Sequence, residues 1–165
     1  MNKDRKKDKP GDPEVKVVAR NRRAKHDYNI EETVEAGIVL VGSEVKGLRG
    51  GQASIRQAYA RVDGDEVWLL GAHIPEYSAA SWTNHDPDRR RKLLLHRRQI
   101  KKLARAIQVA GRTLVPMQIH FNARGIAKVL LALAVGKRRH DKRDRESRRE
   151  AEREISRTIR GNGPS

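Results

Sequence analysis

The sequence predicts a mainly β fold, a small antiparallel β-barrel with flanking helices and a basic C-terminal tail that is disordered or helical. Two observations carry this prediction. Five or six short strand-like segments are separated by turn residues, and no strand–helix–strand unit repeats along the chain. The 165 residues are enough for one domain. We therefore expect a disordered basic arm at 1–14, a barrel domain at 15–136 and a basic tail at 137–165.

The first elements of the barrel domain are two strands and a short helix. "VKVVA" begins the first strand, and "YNIEETVEAGIVLVG" forms the second, with residues 38–41 as a short buried run. "SEVKGLRGG" predicts one or two helical turns, with Ser43 as the N-cap and the glycine pair at 50–51 as the stop.

A β-hairpin is the clearest local prediction. In "ASIRQAYARVDGDEVWLLGAHI", Asp63 and Gly64 form a tight-turn dipeptide that tolerates positive φ. The next stretch, "PEYSAASWTNHDPDRRR", has the Pro, Ser, Asn and Asp content of a loop. A helix then ends near Gly111, because apolar residues recur with helical spacing at Ile100, Leu103, Ala104 and Ile107.

Two strands close the barrel domain. "TLVPMQIHF" alternates, and Pro116 cannot donate to a ladder, so we expect an edge or a bulge there. The returning strand "IAKVLLALAVG" carries Ala132 and Ala134 on one face, which suits the tapering inside of a small barrel of the oligonucleotide-binding kind or a relative. The predicted apolar face of the first of these strands consists of Val115, Met117, Ile119 and Phe121.

The tail, "KRRHDKRDRESRREAEREISRTIR", is too charged to join a core. As a helix it would align its basic residues in one ridge, with Glu–Arg pairs beside it. The favourable Glu–Arg pairs and the unfavourable Arg–Arg neighbours nearly cancel. We therefore expect the isolated tail to be mostly disordered and to fold along a polyanion.

The net charge of +16 strongly favours a polyanionic partner, with nucleic acid first and an acidic membrane surface second. No transmembrane stretch or signal peptide is recognisable, and the chain has no cysteine, so we expect a cytoplasmic, monomeric protein that does not act at a membrane. The six histidines lack paired metal-ligand spacing, so neither a metal nor a cofactor is predicted. Aromatic residues make up only 4%, which favours recognition of phosphates and folded RNA shape over stacking on open strands.

Three stretches, in order, carry a family resemblance: "NRRAKHDYNIEETVEAGIVLVGSEVKGLRGG", "NHDPDRRRKLLLHRRQIKKL" and "TLVPMQIHF…KVLLALAVGKRRHDKR". They closely resemble the bacterial SsrA-binding protein family, also called small protein B. The resemblance implies an oligonucleotide-binding-related barrel that binds the tRNA-like domain of transfer-messenger RNA. It also implies delivery of that RNA to stalled ribosomes for trans-translation, with the tail in the decoding centre and mRNA channel of the small subunit.

The resemblance also implies functional residues. Asn21, Glu35 and Leu94 match positions that hold the RNA, whereas His120 stands where an aromatic residue is usual. Further RNA-binding candidates lie within the matching stretches: Arg23, Lys25, His26, Lys46, Arg91, Lys92, Lys128 and Lys137. The ribosome-contacting candidates in the tail are Asp141, Lys142, Arg143, Arg149, Arg153 and Arg157.

Several of these residues have simpler interpretations. Glu35 would otherwise form an ion pair with a nearby lysine, Asn21 would cap a turn, and His26 beside Asp27 would be a structural histidine. Composition alone places Leu94 in the core, but one of three consecutive leucines must point elsewhere, where it could cover an unstacked base.

The leading functional hypothesis is an RNA-binding adaptor that is not an enzyme. A ribonuclease would need a histidine with Asp27 or Glu35 as acid and base, and no nucleophile elbow, phosphate loop or carboxylate cluster supports it. A structural ribosomal protein or a general binder of structured RNA is the alternative. Binding of single-stranded DNA is disfavoured by the scarcity of aromatic residues.

Overall fold

A computed structural model of the chain describes residues 15–78, 84–137 and 139–161, so the predicted arm at 1–14 lies outside the described residues. These described residues form seven strands and four helices. In order they are β1 (Lys16–Arg20), α1 (Ala24–Asp27), β2 (Tyr28–Ile38), α2 (Gly42–Arg49), β3 (Tyr59–Asp63), β4 (Glu66–Leu70), β5 (Arg91–Leu94), α3 (Arg97–Ala106), β6 (Arg112–Phe121), β7 (Ala127–Gly136) and α4 (Arg139–Gly161).

The strands form one antiparallel sheet that closes into a ring. Their order is β1-β6-β3-β4-β5-β2-β7, and an additional pairing of β6 with β7 closes the six strands from β6 to β7 into a ring, while β1 pairs with β6. Two seams of the ring are short: β2 meets β5 at two residue pairs, and β3 meets β6 at Ala60 and Leu114. The predicted antiparallel barrel is therefore confirmed.

The core lies mainly inside this ring. Its largest cluster takes buried residues from all seven strands, including Ala36, Leu69 and Leu131, and from α2 and α3. A second cluster joins α1 through Ala24 to Ala132 and Ala134 of β7. The prediction that these alanines line the inside of the barrel is wrong, because they face outward under α1 and the larger Val and Leu side chains of β7 fill the interior.

Strand β6 contains the irregularity expected at Pro116. Its register with β7 shifts between Pro116 and Gln118, so Met117 is an extra residue in a β-bulge. Because the bulge reverses the alternation, Val115 and Met117 pack in the outer cluster while Ile119 and Phe121 pack in the main core. The predicted single face of four apolar residues is therefore wrong.

The neighbourhood of α2 differs from its prediction in detail. Val41, not Ser43, occupies the N-cap position of α2, and the Ser43 Oγ bonds His85 Nδ1 at 2.9 Å. Val39 and Val41 are exposed, so residues 38–41 are not a continuous buried run. The stop at Gly50 and the hairpin are confirmed, the latter with Gly64 at φ +59° between β3 and β4.

Two short elements were not predicted from the sequence, and the tail adopts one of its two predicted forms. β5 is only four residues long and α1 is a single turn, so neither has room for a periodic pattern. The tail is helical over Arg139–Gly161, and its described side chains, 143–159, are all exposed.

Candidate nucleic-acid interface

A surface groove lies where β2 pairs with β5, and it brings together Glu35, Leu94 and Lys128. This groove has a volume of about 500 Å³, and we call it the β2–β5 groove. Gly37 of β2 lies opposite Leu94 of β5, and a Cβ on Gly37 would lie only 3.2 Å from the Leu94 Cβ. The glycine thus leaves room for the leucine side chain at the seam.

The walls of the β2–β5 groove combine apolar and charged groups. Leu94 is 53% exposed and Ile126 is 50% exposed, whereas the adjacent Leu93 is only 1% exposed. One of the three consecutive leucines therefore points away from the core, as expected. An apolar wall can cover a base or a sugar, a carboxylate accepts hydrogen bonds from N–H or 2′-OH groups, and a lysine binds phosphate.

Glu35 is held by a histidine rather than by a lysine. Its Oε2 lies 3.1 Å from Nε2 of His120, and Nδ1 of His120 lies 3.3 Å from Nε2 of Gln118. The Glu35 side chain stays 54% exposed, whereas that of His120 is 5% exposed. The carboxylate is thus anchored from below and open to the solvent.

A second group of candidates surrounds α1. Arg23 and Lys25 are exposed, whereas Asn21 is buried beneath them. The Asn21 Nδ2 donates to the carbonyls of Ile55 and Pro116 at 3.4 and 3.3 Å, and its Oδ1 accepts from the Ala24 N–H at 3.2 Å. This geometry matches the simpler interpretation of Asn21, in which the side chain caps a turn, here the one that leads into α1.

The start of the tail is attached to α1. Lys137 Nζ and Arg145 Nη1 both donate to the Lys25 carbonyl at 2.9 Å, and His26 Nε2 lies 2.7 Å from Glu146 Oε1. Hydrogen bonds to Asp27 and to Glu146 raise the pKa of His26 above its ordinary value. Since the charged imidazolium is the form that these carboxylates favour, this attachment is strongest below the pKa of His26 and weakens as the pH rises through it.

Arg91 requires a correction, because its side chain is fully buried. Its Nε donates to Glu44 Oε1 at 3.0 Å, and its two terminal nitrogens donate to the carbonyls of Ala72 and Pro87 at 2.8 and 3.0 Å. A guanidinium so enclosed cannot reach a phosphate. Arg91 therefore supports the fold beneath the surface and does not contact RNA directly.

Glu44 is the buried partner of this network, and sequence reasoning did not identify it. Arg89 also binds its carboxylate, with Nη2 2.6 Å from Oε2, and the Val41 N–H donates to the same oxygen at 3.1 Å. Burial alone would raise the pKa of Glu44, but the hydrogen bonds from Arg89, Val41 and Arg91 outweigh it and hold the pKa below its ordinary value. No sequence signal separates this glutamate from a surface one.

The remaining candidates of the barrel lie apart from both groups. Lys46 of α2 is exposed, with Nζ 5.2 Å from the ring centre of Tyr77. Lys92 of β5 is half-buried, and its Nζ lies 3.1 Å from Glu66 Oε1.

The candidates of the tail all lie in α4. Arg149, Arg153 and Arg157 are four residues apart and exposed, so they share one face of the helix, and Arg143 is exposed near its start. Asp141 and Lys142 fall within the α4 backbone, but their side chains are outside the described residues.

The predicted RNA-binding residues thus form two main groups at opposite ends of β2. From Tyr28, which follows α1, to Glu35 in the β2–β5 groove is a span of roughly 24 Å along an extended strand. The groove also contains Ile126, which sequence reasoning missed and which an exposed position after the "NARG" turn could have suggested.

Two general findings bear on the class of protein. Within 15–78, 84–137 and 139–161, no helix is long and apolar enough to cross a membrane. The same described residues contain no cluster of three His, Asp or Glu side chains that could hold a metal ion.

Comparison with known proteins places these features in a family context. The family model described as SmpB protein matches residues 18–161. An SsrA-binding protein from Rhodopseudomonas palustris (strain HaA2) is 56% identical over 149 residues, which cover 90% of this chain and 95% of that protein. An SsrA-binding protein from Thermobifida fusca (strain YX) is 53% identical over 160 residues, covering 97% of this chain and 98% of that protein.

A solved structure shows the same similarity. It is described as "tmRNA-SmpB: a journey to the center of the bacterial ribosome", and its matching chain is 48% identical with a TM-score of 0.63. The match covers 76% of this chain and 91% of that chain. The similarity therefore extends over most of both chains in sequence and in fold.

Proposed function

The chain belongs to the SmpB protein family, and from that premise we propose that it binds the tRNA-like domain of transfer-messenger RNA and delivers it to stalled ribosomes for trans-translation. The observation that carries the proposal is the β2–β5 groove. Two residues that match the RNA-holding positions of the family, Glu35 and Leu94, lie side by side there and are both exposed. A buried pair at these positions would have excluded direct contact with RNA.

The barrel and the tail offer two different kinds of binding surface, which supports the proposal of an adaptor. The barrel offers a shaped groove with a hydrogen-bond acceptor, an apolar wall and a cation. Helix α4 instead presents arginines at successive turns, with its described side chains all exposed. A groove suits recognition of one folded RNA, whereas a basic helix suits a second polyanionic surface such as the ribosome, in the cytoplasm.

The adaptor is proposed to act without catalysis. Among the described residues, three histidines contact carboxylates: His26 meets Asp27 and His120 meets Glu35, both at 3.1 Å, and the exposed His73 meets Asp88 at 2.8 Å. However, the His120 ring is buried under Glu35, and the other nitrogen of His26 bonds Glu146. His26 and His120 are therefore not poised as general bases, a role that requires direct reach to the reacting proton. RNA that stays full-length after prolonged incubation with the protein would support this part of the proposal.

The test of RNA recognition is Glu35→Ala in the full-length protein. We expect affinity for the tRNA-like domain to fall about tenfold, because an exposed acceptor of hydrogen bonds from base or ribose donors is lost. Binding is measured across a salt series with ordinary transfer RNA as competitor. A purely electrostatic interface predicts the opposite result, since the variant is more basic than the parent.

The test of the tail is charge reversal of Arg149, Arg153 and Arg157 to glutamate. We expect nearly unchanged binding to the tRNA-like domain and loss of tagging on stalled ribosomes in a reconstituted translation reaction. The matched control replaces the same three residues with lysine, which keeps the charge. Equal loss of RNA binding and tagging in the reversed variant would refute the proposed division between barrel and tail.

A further inference from the structure

We infer that His120 is a positioning residue for Glu35, and that with Gln118 it fixes the carboxylate in the orientation in which it accepts hydrogen bonds from RNA. The inference rests on the function proposed above and assigns two residues on β6 to RNA recognition. Neither residue lines the β2–β5 groove, so their contribution passes through Glu35.

The β-bulge in β6 explains why His120 can reach Glu35. The register of β6 with β7 shifts between Pro116 and Gln118. A bulge redirects the side chains that follow it. Gln118 and His120 consequently face the outside of the barrel, which is the side on which Glu35 lies.

The register across three strands places these side chains together. Glu35 of β2 and Gln118 of β6 lie opposite the same residue of β7, Leu130, from its two sides. His120 lies opposite Lys128, the next outward-facing residue of β7. The imidazole thus crosses β7 to reach the carboxylate, and the two side chains meet at 3.1 Å.

The hydrogen bonds determine the tautomer of His120. The amide nitrogen of Gln118 carries only donors, so the Nδ1 of His120 that lies 3.3 Å from it must accept. In a neutral imidazole the proton then lies on Nε2, which donates to Glu35 Oε2. The Glu35 carboxylate can only accept and so requires a donor on Nε2, and the contact with Gln118 is compatible with that tautomer.

This arrangement leaves Glu35 with unused acceptor capacity toward the groove. A carboxylate has about four lone-pair positions, and His120 uses one. With the side chain 54% exposed, the others are accessible. The matching group on the ligand must be a hydrogen-bond donor: an amino or imino N–H of a base, or a ribose 2′-OH.

Lys128 shows why positioning matters. It lies opposite Gly37 in the same groove, one outward position along β2 from Glu35. Even so, the described residues show no ion pair between Lys128 and Glu35, because the carboxylate is directed to His120. An anchored carboxylate loses less conformational freedom when RNA binds, and it leaves Lys128 available to a phosphate.

A double-mutant cycle in the full-length protein tests the inference. Affinity for a fluorescently labelled tRNA-like domain of transfer-messenger RNA is measured for the parent, E35Q, H120F and E35Q/H120F. We expect H120F to weaken binding about five- to tenfold, because a ring remains but the donor to a charged acceptor is lost. In the E35Q background, H120F should cause less than about a twofold further change.

Two further variants separate positioning from a structural effect. H120Q keeps a donor near the place of Nε2 and should recover most of the affinity lost in H120F. H73F is the matched control, because His73 is an exposed histidine paired with a carboxylate, Asp88, outside the β2–β5 groove. Its effect on affinity should be the same in the parent and in E35Q, because it has no contact with Glu35.

Spectroscopy of the parent protein tests the geometry without any risk of misfolding. Long-range ¹H–¹⁵N correlation should show His120 with its proton on Nε2, and Q118L should lose that preference. A proton on Nδ1 in the parent would overturn the inference. It would also be overturned if the loss of affinity in E35Q/H120F equalled the product of the losses in E35Q and H120F. If the parent itself fails to prefer the tRNA-like domain over ordinary transfer RNA, the proposed function fails instead.

Discussion

Arg91 and Glu44 form a charged pair that is fully buried. Such a pair is stable only when all its hydrogen-bonding groups are satisfied, and here backbone carbonyls and a second arginine, Arg89, complete the set. The pair connects α2 to the first residue of β5. It therefore helps to hold Lys46 on one side and Leu94 on the other in their places.

Removing one partner should be costly. We predict that Arg91→Leu lowers the free energy of unfolding by about 3 kcal/mol, because the Glu44 carboxylate loses a buried partner. The measurement is urea denaturation. The control is Arg90→Leu: Arg90 is exposed and lies 4.4 Å above the ring of Trp68, so its loss should cost about 1 kcal/mol or less. Equal losses in both variants would contradict the prediction.

The buried pair also makes the free energy of unfolding fall at low pH. Because the pKa of Glu44 is lower in the folded protein than in the unfolded chain, its stabilising contribution is present above the unfolded pKa. That contribution is lost as the pH falls through the folded pKa.

For single residues, the sequence predicts features that depend on neighbouring residues better than features that depend on residues far away in the chain. Three leucines in a row predicted that one of them must point away from the core, but not that it would be Leu94. The burial of Arg91 could not be predicted, because it depends on Glu44, which lies 47 residues earlier in the chain. The same holds for Glu35, whose partner His120 is 85 residues away.

Among the elements, α2 packs unusually close to the chain that follows β4. A Cβ built on Gly47 would lie 2.6 Å from the Pro75 carbonyl oxygen and 3.2 Å from Ile74 Cγ2. Gly42, in the first turn of the same helix, has nothing within 4 Å of such a Cβ. Gly47 thus allows α2 to pack closely against Pro75, whereas the space around Gly42 would accept a side chain.

We predict that Gly47→Ala destabilises the protein by about 1–3 kcal/mol, although alanine is the better helix former. Gly42→Ala, the matched variant, should be neutral or stabilising by up to about 1 kcal/mol. Thermal and urea unfolding of both variants measure the difference. A stabilising Gly47→Ala would show that the helix can move away from Pro75 at little cost.

Long or strongly patterned elements were predictable, and short or irregular ones were not. The hairpin and α3 carry their signals within about twenty residues of sequence. The consequence of Pro116 was only half predicted: a residue that cannot donate suggests a bulge, but the direction of the side chains after it depends on pairing with β7. That direction decides which residues can support Glu35.

At the scale of the whole molecule, a closed ring of strands with its flanking helices is followed by α4, whose described side chains, 143–159, lie outside the core. We predict that a 1–136 truncation keeps the free energy of unfolding within about 0.5 kcal/mol of the full-length value, because the described side chains of α4 are all exposed. Urea denaturation of the two proteins provides the measurement. A loss greater than about 2 kcal/mol would show that the tail is part of the folded unit.

The attachment of α4 has a mechanical consequence. Its described hydrogen bonds to α1 come from Arg145 and Glu146, and about 23 Å of helix extends beyond them at 1.5 Å per residue. A helix is stiff over this length, so α4 moves as a rigid rod that pivots at its attachment to α1. A tilt of about 15° at this attachment moves the far end by about 6 Å, slightly more than one helical pitch. A small change in the orientation of the barrel on a partner therefore produces a larger displacement of Arg157.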